Sequence, residues 1–590
     1  MPAARRAGWK PSAPWYHLPV METDPWLTKA EQTSFQETSR YPETMDYCRR
    51  LQQASPWIQF TSFGRSPEGR DLPLLIVSKE QCFTPAIARQ SGCTILLIIN
   101  GIHSGEIAGK EASLMLLRDI AIRKQNHSLL DRNIVLMVPI YNVDGHERFS
   151  PYNRINQNGP KEMGFRATAQ NLNLNRDWIK AEQPETKAML KLFAEWLPDL
   201  VIDNHVSDGA DFQYDVTWLS DDHCALATPV REYFQRDLEP HLIESLTRSG
   251  HVVARYFELR NPHDPSQGLL AGPFQARYSN GYCTLQNRPC FVVETHMIKS
   301  FEARIRAHYD LMQTILQKTG RDAELLRNVV ENADQQTMML PKNDYPIRLK
   351  LSAEISHPMT YKGIEYRKEA SSISGSTKIV FGTAPIDIPV RFFNTSEPEK
   401  TIDPPLGYIV PVQWSFVSEK LEAHSIPYSR LEKSITGQFE TYRFSNVTWA
   451  ASPFEGRRRV RFASTKITEE CTLRAGSILV LLNQRVNRVI LELLEPEAAD
   501  SLVSWGFFDA IFEEKESPED YVLEKLAEEM LQSNEGLARE FEQRLATDAA
   551  FRSDPAARLN FFYERSPFRD PRKNIYPIVR ITDPSQISSL

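Results

Sequence analysis

Thr94-Ile95-Leu96-Leu97-Ile98-Ile99, running into Asn100-Gly101-Ile102-His103-Ser104-Gly105-Glu106, is the stretch on which the reading of this chain turns. The first six residues are mostly apolar and half are β-branched isoleucine, as expected of a strand buried on both faces of a sheet. In an open α/β sheet, ligands bind beyond the carboxyl ends of the strands, where the polar residues follow here. Three more apolar runs end the same way. Residues 134–140 lead into Tyr141-Asn142-Val143-Asp144-Gly145, and Leu200-Val201-Ile202 into Asp203-Asn204-His205. Phe291-Val292-Val293 leads into Glu294-Thr295-His296. His103, Glu106, His205 and Glu294 are therefore expected along one edge of one sheet.

Working outward, residues 57–63 and 72–77 flank the turn sequence Ser66-Pro67-Glu68-Gly69 and read as a hairpin. Residues 111–122 read as a helix. Met189, Leu192, Phe193 and Trp196 stand at i, i+3, i+4 and i+7, one apolar helix face that Pro198 ends. Alternating runs of this kind up to about residue 325 read as α/β. At 590 residues the chain exceeds one ordinary domain. The expected division is an N-terminal extension over 1–29, the α/β part over 30–325, a β-rich domain over 345–510 and a helical C-terminal segment over 517–590. Pro341-Lys342-Asn343-Asp344-Tyr345-Pro346 marks the first boundary. Ser517-Pro518-Glu519-Asp520 reads as a helix start with a capping hydroxyl.

Composition removes several classes of function. With 41% hydrophobic and 25% charged residues the chain is globular rather than disordered. No apolar run approaches the roughly 18 residues of a membrane span. A net charge of −7 gives no reason to expect nucleic acid, and Arg457-Arg458-Arg459 reads as a solvated strand edge. Seven cysteines without a Cys-x-x-Cys pair are too sparse for a disulfide scaffold and read as small core residues. Arg5 and Arg6 are followed by Gly8-Trp9-Lys10-Pro11 where an export signal needs a continuous apolar stretch. The chain as written is thus expected to be soluble, cytoplasmic if complete and exported if its start is trimmed.

The spacing His-x-x-Glu occurs twice, and with 13 histidines about one match is expected by chance. His241 and Glu244 lie in a helix-like segment with no strand before it and read as a surface pair. His103 and Glu106 lie in a short loop at a strand end, where both side chains can reach one point. With His205 they supply two imidazoles and one carboxylate, the ligand set of a catalytic zinc with a fourth position left for water. The alternative is a pair of hydrogen-bonded core histidines near a helix start.

The chain also carries, in order, Gly64-Arg65-Ser66 and Glu68-Gly69-Arg70, then His103-Ser104-Gly105-Glu106 and Asn142-Val143-Asp144-Gly145. Met163-Gly164-Phe165-Arg166, Asn173-Leu174-Asn175-Arg176-Asp177, Pro184-Glu185-Thr186, His205 and Glu294-Thr295-His296 follow. In these pieces residues 30–320 resemble the M14-type zinc carboxypeptidases, the metallopeptidases related to pancreatic carboxypeptidases. The resemblance implies an α/β fold with a mixed twisted sheet and helices on both faces, here followed by the β-rich and helical parts. It implies one zinc ion per chain held by His103, Glu106 and His205, with Glu294 as general base. An acid in an apolar run has its pKa raised by desolvation, which suits a base that later returns the proton. Arg166 would steady the oxyanion, stabilising charge absent from the ground state. Asn175 and Arg176 would grip a peptide's free C-terminal carboxylate, which a planar guanidinium suits.

Three departures stand out. Asn173 occupies a position where the family commonly has an aspartate that orients a zinc-bound imidazole. Val206-Ser207-Asp208-Gly209 replaces the usual continuation after the second histidine. The family's substrate-capping tyrosine has two candidates, Tyr278 and Tyr282. Asp208, Asp211 and Asp215 read as a solvated loop, with attraction of a cationic substrate side chain as the alternative. The expected activity is a zinc-dependent metallocarboxypeptidase hydrolysing the C-terminal peptide bond. Two alternatives remain open. One is a related zinc amidase or deacylase acting on acyl amino acids or cell-wall peptides. The other is a binding protein with a vestigial zinc site, its β-rich region presenting aromatic clusters such as residues 408–414.

Overall fold

The computed structural model describes residues 24–219, 227–516 and 518–588. The Arg5–Pro11 stretch, Cys224 and the Ser517 cap lie outside them. An eight-stranded sheet begins with the hairpin β1 (Ile58–Arg65) and β2 (Asp71–Val77). It continues through β3 (Thr94–Asn100), β4 (Asn133–Val138), β5 (Leu200–Ser207), β6 (Val216–Leu219) and β7 (Val253–Arg255). Two short strands, β8 (Glu258–Leu259) and β9 (Leu269–Leu270), join another sheet before β10 (Cys290–His296) returns to the first. The order is β1-β2-β4-β3-β5-β10-β6-β7. β4, β3, β5 and β10 are mutually parallel neighbours, with antiparallel strands on either side. Register sets Asn204 opposite Asn100 and His205 opposite Glu294, so three adjacent strands end together.

Alternate residues of β3 serve opposite faces, as the two-residue period of a strand requires. Leu96 and Ile98 share a core with Leu114, Leu117, Ile305 and Met312 of the helices Ala108–Ala121 and Phe301–Arg321. Ile95, Leu97 and Ile99 pack with Met189, Leu192, Phe193 and Trp196, the apolar face of the helix Pro184–Trp196.

After the helix Ala323–Met338 come β11 (Tyr345–Leu351), the long hairpin β12 (His357–Ala370) and β13 (Thr377–Phe393), and β14 (Ser396–Ile402). β14 pairs with β11, while β13 pairs with β9 and so ties the hairpin to the first part of the chain. A six-stranded antiparallel sheet follows. It is built from β15 (Gly407–Val410), β16 (Ser429–Arg430), β17 (Ile435–Trp449), β18 (Val460–Leu473), β19 (Ile478–Leu481) and β20 (Val579–Ile581). Tyr408, Val410, Val480, Val489 and Ile490 belong to the same continuous core as Trp178, Met189 and Tyr282. The residues 408–414 are thus partly core packing.

Two expectations change. Residues 520–563 are helical, but the C-terminal segment also contains β20, which inserts between β15 and β17. Ile578, Val579 and Ile581 are at most 2% exposed, an apolar run masked in the sequence by the charged helices before it. The first of those helices starts at Asp520, with Glu519 as N-cap. Arg457 and Arg459 are not a solvated edge. Arg457 Nε donates to both Glu182 carboxylate oxygens at 3.0 Å, and Arg459 lies 2.8 Å from Asp500, because the β17–β18 hairpin meets acidic groups. Cys48, Cys82, Cys93, Cys283 and Cys290 are buried and Cys471 is half-buried, none of them in a disulfide. No described helix is long and apolar enough to cross a membrane.

Candidate active site

Where β3 ends, Gly101 adopts φ +66°, a left-handed value open to glycine, and turns the chain across the sheet edge. The Glu106 N–H donates to the His103 carbonyl at 2.8 Å, closing a turn with both side chains directed inward. Gly105 is required by close approach: a Cβ there would lie 2.7 Å from Arg154 Cγ. Ser104 Oγ donates to the Asn142 carbonyl at 2.6 Å. Asp144, two residues on, accepts from Ser66 Oγ at 2.7 Å and from Arg70. The hairpin motif is therefore a brace for the loop after β4.

His103, Glu106 and His205 are all buried and form a group that could hold a metal ion. His103 Nδ1 and His205 Nδ1 are 3.1 Å apart, and Glu106 Oε2 is 3.2 and 2.9 Å from them. Ligands on bonds of about 2.0–2.2 Å around a tetrahedral zinc stand about 3.3 Å apart, close to these separations. The opposite ring nitrogens face acceptors: Asn173 Oδ1 lies 3.0 Å from His103 Nε2, and Asp203 Oδ2 lies 3.0 Å from His205 Nε2. With the proton on Nε2, each ring would turn an Nδ1 lone pair, beside a carboxylate oxygen, towards one point. Such a donor set fits a divalent cation. Burial lowers the His103 pKa to about 4, so the ring is neutral and ready to ligate. Burial pushes the Glu106 carboxyl up, but the positive charge around it, Arg154 included, outweighs burial and holds it well below its usual range.

Asp203 was not singled out by sequence, although it stands two residues before His205 and so shares its strand face. Its Oδ2 also accepts from Ser279 Oγ at 2.6 Å. The charged partner belongs to His205 and the amide partner to His103. Asp203→Asn is expected to weaken zinc affinity by about 10- to 100-fold, the usual cost of losing an outer partner of a ligating histidine. Competition with a chromogenic chelator measures this, and wild-type affinity in the variant would remove Asp203 from the site.

Glu294 faces the same cleft from β10. Its Oε2 is enclosed and has no hydrogen-bond partner among the described residues. Burial raises its pKa to about 8, opposed by His205 and reinforced by Glu106. Arg166 lines the cleft and donates to Glu106 Oε1 at 3.0 Å. Arg154, for which the sequence held no signal, lies 2.9 Å from the same oxygen. Asn175, Arg176 and Tyr278 also line the cleft. Asn175 Oδ1 accepts from the Ser279 N–H at 2.9 Å, and the Arg176 guanidinium lies 4.2 Å over the Tyr278 ring.

Tyr282 does not reach the cleft. It is 1% exposed, its hydroxyl 2.9 Å from His424 Nδ1 and its ring against Trp178 and Phe193. Tyr278 caps the helix Ser279–Leu285, whereas Tyr282 lies one turn inside it and points to the core. Of the acidic trio, Asp208 lines the cleft, while Asp215 accepts from the Val252 N–H at 2.9 Å and Asp211 lies 3.8 Å from His296. Leu219, Phe274 and Val292 add an apolar wall.

Residues 44–224 match the family model described as zinc carboxypeptidase, Peptidase_M14. Carboxypeptidase 2 of Trichophyton rubrum is 23% identical over 483 residues, which cover 79% of this chain and 83% of that protein. Carboxypeptidase 2 of Trichophyton tonsurans is 24% identical over 485 residues, with the same two shares. Among solved structures, a metallo-carboxypeptidase from Burkholderia cenocepacia is 17% identical, covers 47% of this chain and 69% of its own, and has a TM-score of 0.35. Carboxypeptidase A from Helicoverpa armigera is 16% identical, covers 50% of this chain and 76% of its own, with a TM-score of 0.37. The family match falls on the strands and loops that bring His103, Glu106 and His205 together, and over residues 44–224 this chain is similar to the M14 zinc carboxypeptidases.

Proposed function

We propose that this chain removes C-terminal residues from peptides, with His103, Glu106 and His205 as zinc ligands and Glu294 as general base. The observation that carries the reading is one cleft lined by both this set and the Asn175, Arg176 and Tyr278 group. Bound zinc supplies Lewis acidity, polarising a carbonyl and bringing the acidity of water towards neutrality. Arg176 and Asn175 hold the substrate's terminal carboxylate and set the last peptide bond beside the metal group. Tyr278 packs under the guanidinium and limits its freedom. Glu294, whose Oε2 has no partner among the described residues, takes the proton of the attacking water and returns it to the leaving amine. Arg166 turns towards the carbonyl oxygen as it gains charge, and Arg154 keeps Glu106 paired meanwhile.

The test is release of a free amino acid from N-blocked dipeptides, run beside acyl amino acids and cell-wall tripeptides and repeated after chelation and zinc return. Cleavage of the blocked dipeptides, lost on chelation and restored by zinc, is expected. Activity confined to the acyl amino acids or wall peptides would overturn the peptide reading.

The pH dependence has a definite sign. Glu294 acts as a base only when ionised, so kcat/KM is expected to rise with pH as its proton leaves. Its metal-free pKa is about 8, and the charge of a bound cation moves the midpoint below that value. A pH–rate profile that falls across the same interval would exclude Glu294 from this role.

A further inference from the structure

The β17–β18 hairpin ends in Phe454-Glu455-Gly456-Arg457, closed by backbone hydrogen bonds of 2.8 and 3.1 Å between Phe454 and Arg457. Glu455 (φ +50°) and Gly456 (φ +78°) are both left-handed, the geometry of a type I′ turn. The first central position of that turn favours Asn, Asp or Gly, so a glutamate there is held against its own preference. Its side chain shows what holds it. Glu455 Oε2 accepts from the backbone N–H of Asn173 at 2.8 Å, and its carbonyl accepts from Lys180 Nζ at 3.4 Å. Arg457 clasps Glu182 beside it, and the Glu182 and Gln183 N–H groups are in turn held by Asp177 Oδ2 at 3.0 and 2.8 Å.

A second contact from the same region reaches the other wall. Asp500 accepts from the Arg277 backbone N–H at 3.0 Å and its side chain at 2.7 Å, with Arg459 on the same carboxylate. Arg277 precedes Tyr278. Both chain segments at the carboxylate end of the cleft, 173–176 and 277–280, are thus held by groups more than 170 residues further along. A carboxyl group is no grip for a substrate carboxylate, so Glu455 acts through the backbone it holds.

We propose that the β17–β18 tip is a positioning element for substrate binding, with Glu455 fixing the loop that presents Asn175 and Arg176. This rests on the reading of that pair as the grip on a peptide's terminal carboxylate. Glu455→Asn tests it, because asparagine suits the turn better but is one methylene too short to span to Asn173. KM for a blocked dipeptide is expected to rise about tenfold, the scale of one hydrogen bond to a charged group. At saturating zinc, which allows for Asn173 also facing His103, the kcat value and the unfolding temperature should stay at or above wild type. Glu455→Gln keeps the reach and is expected to restore KM to near the wild-type value. An unchanged KM in Glu455→Asn overturns the assignment, as does a joint fall of kcat and unfolding temperature, which marks a general folding defect. Wild-type protein that leaves every free-carboxylate peptide intact would instead sink the peptidase reading and this one with it.

Discussion

Glu294→Gln is expected to lower kcat by about 10²- to 10⁴-fold, the range contributed by a positioned general base, while one zinc per chain is retained. The substitution preserves shape and removes the ability to accept a proton. It leaves the metal group untouched, because Glu294 lies in register with His205 on the neighbouring strand without being one of the converging donors. The folded protein should tolerate it well. The raised pKa of Glu294 is a consequence of burial, and its Oε2 has no partner to lose among the described residues. A neutral amide keeps the shape of the mostly protonated carboxyl, so the unfolding temperature is expected to stay close to wild type. Steady-state kinetics beside metal analysis and thermal unfolding check all three outcomes. Turnover within a few-fold of wild type would remove Glu294 from proton transfer, and loss of zinc would make it a ligand instead.

The core of this site was legible in sequence because it depends on strand ends. Apolar runs announce buried parallel strands, and whatever polar residue follows them lies on the sheet edge. Strand ends alone place His103, Glu106, His205 and Glu294 on that edge. Asp203 was within reach of the same argument, since residues two apart on a strand share a face. Arg154 was not, because it comes from a loop distant in sequence and packs its side chain against Gly105, where a Cβ would lie 2.7 Å from its Cγ. Tyr278 and Tyr282 were indistinguishable on the page, and one helical turn separates a residue on the cleft from one bonded to His424. The hairpin tip at 454–457 was hidden for a different reason. Its partners at Asn173 and Glu182 are 282 and 275 residues away, and no local pattern encodes a contact at that distance. The strand β20 was obscured by the helices before it, so composition averaged over the tail concealed a short apolar run.

Glu106→Gln is expected to weaken zinc binding by about 10²- to 10⁴-fold, from about 3–5 kcal/mol for breaking a buried charge pair at 1.4 kcal/mol per tenfold. The carboxylate is used on both sides. Oε2 faces the two Nδ1 atoms and accepts from the Val206 N–H at 3.1 Å, while Oε1 takes Arg154 at 2.9 Å and Arg166 at 3.0 Å. An amide can satisfy only one side. With its NH₂ towards the histidines it presents donors to the cation, and with its NH₂ towards the arginines it sets donor against donor. Either way two guanidinium groups lose their counter-charge next to a divalent ion, and the repulsion adds to the lost bond. Glu106→Asp tests the same site differently, keeping the charge but shortening the reach, and is expected to retain more zinc than the amide. Zinc per chain after dialysis against a zinc buffer, with apo-protein unfolding as control, measures the effect. Wild-type affinity in Glu106→Gln would mean that the metal is held without this carboxylate, and that the two arginines are paired with an idle acid.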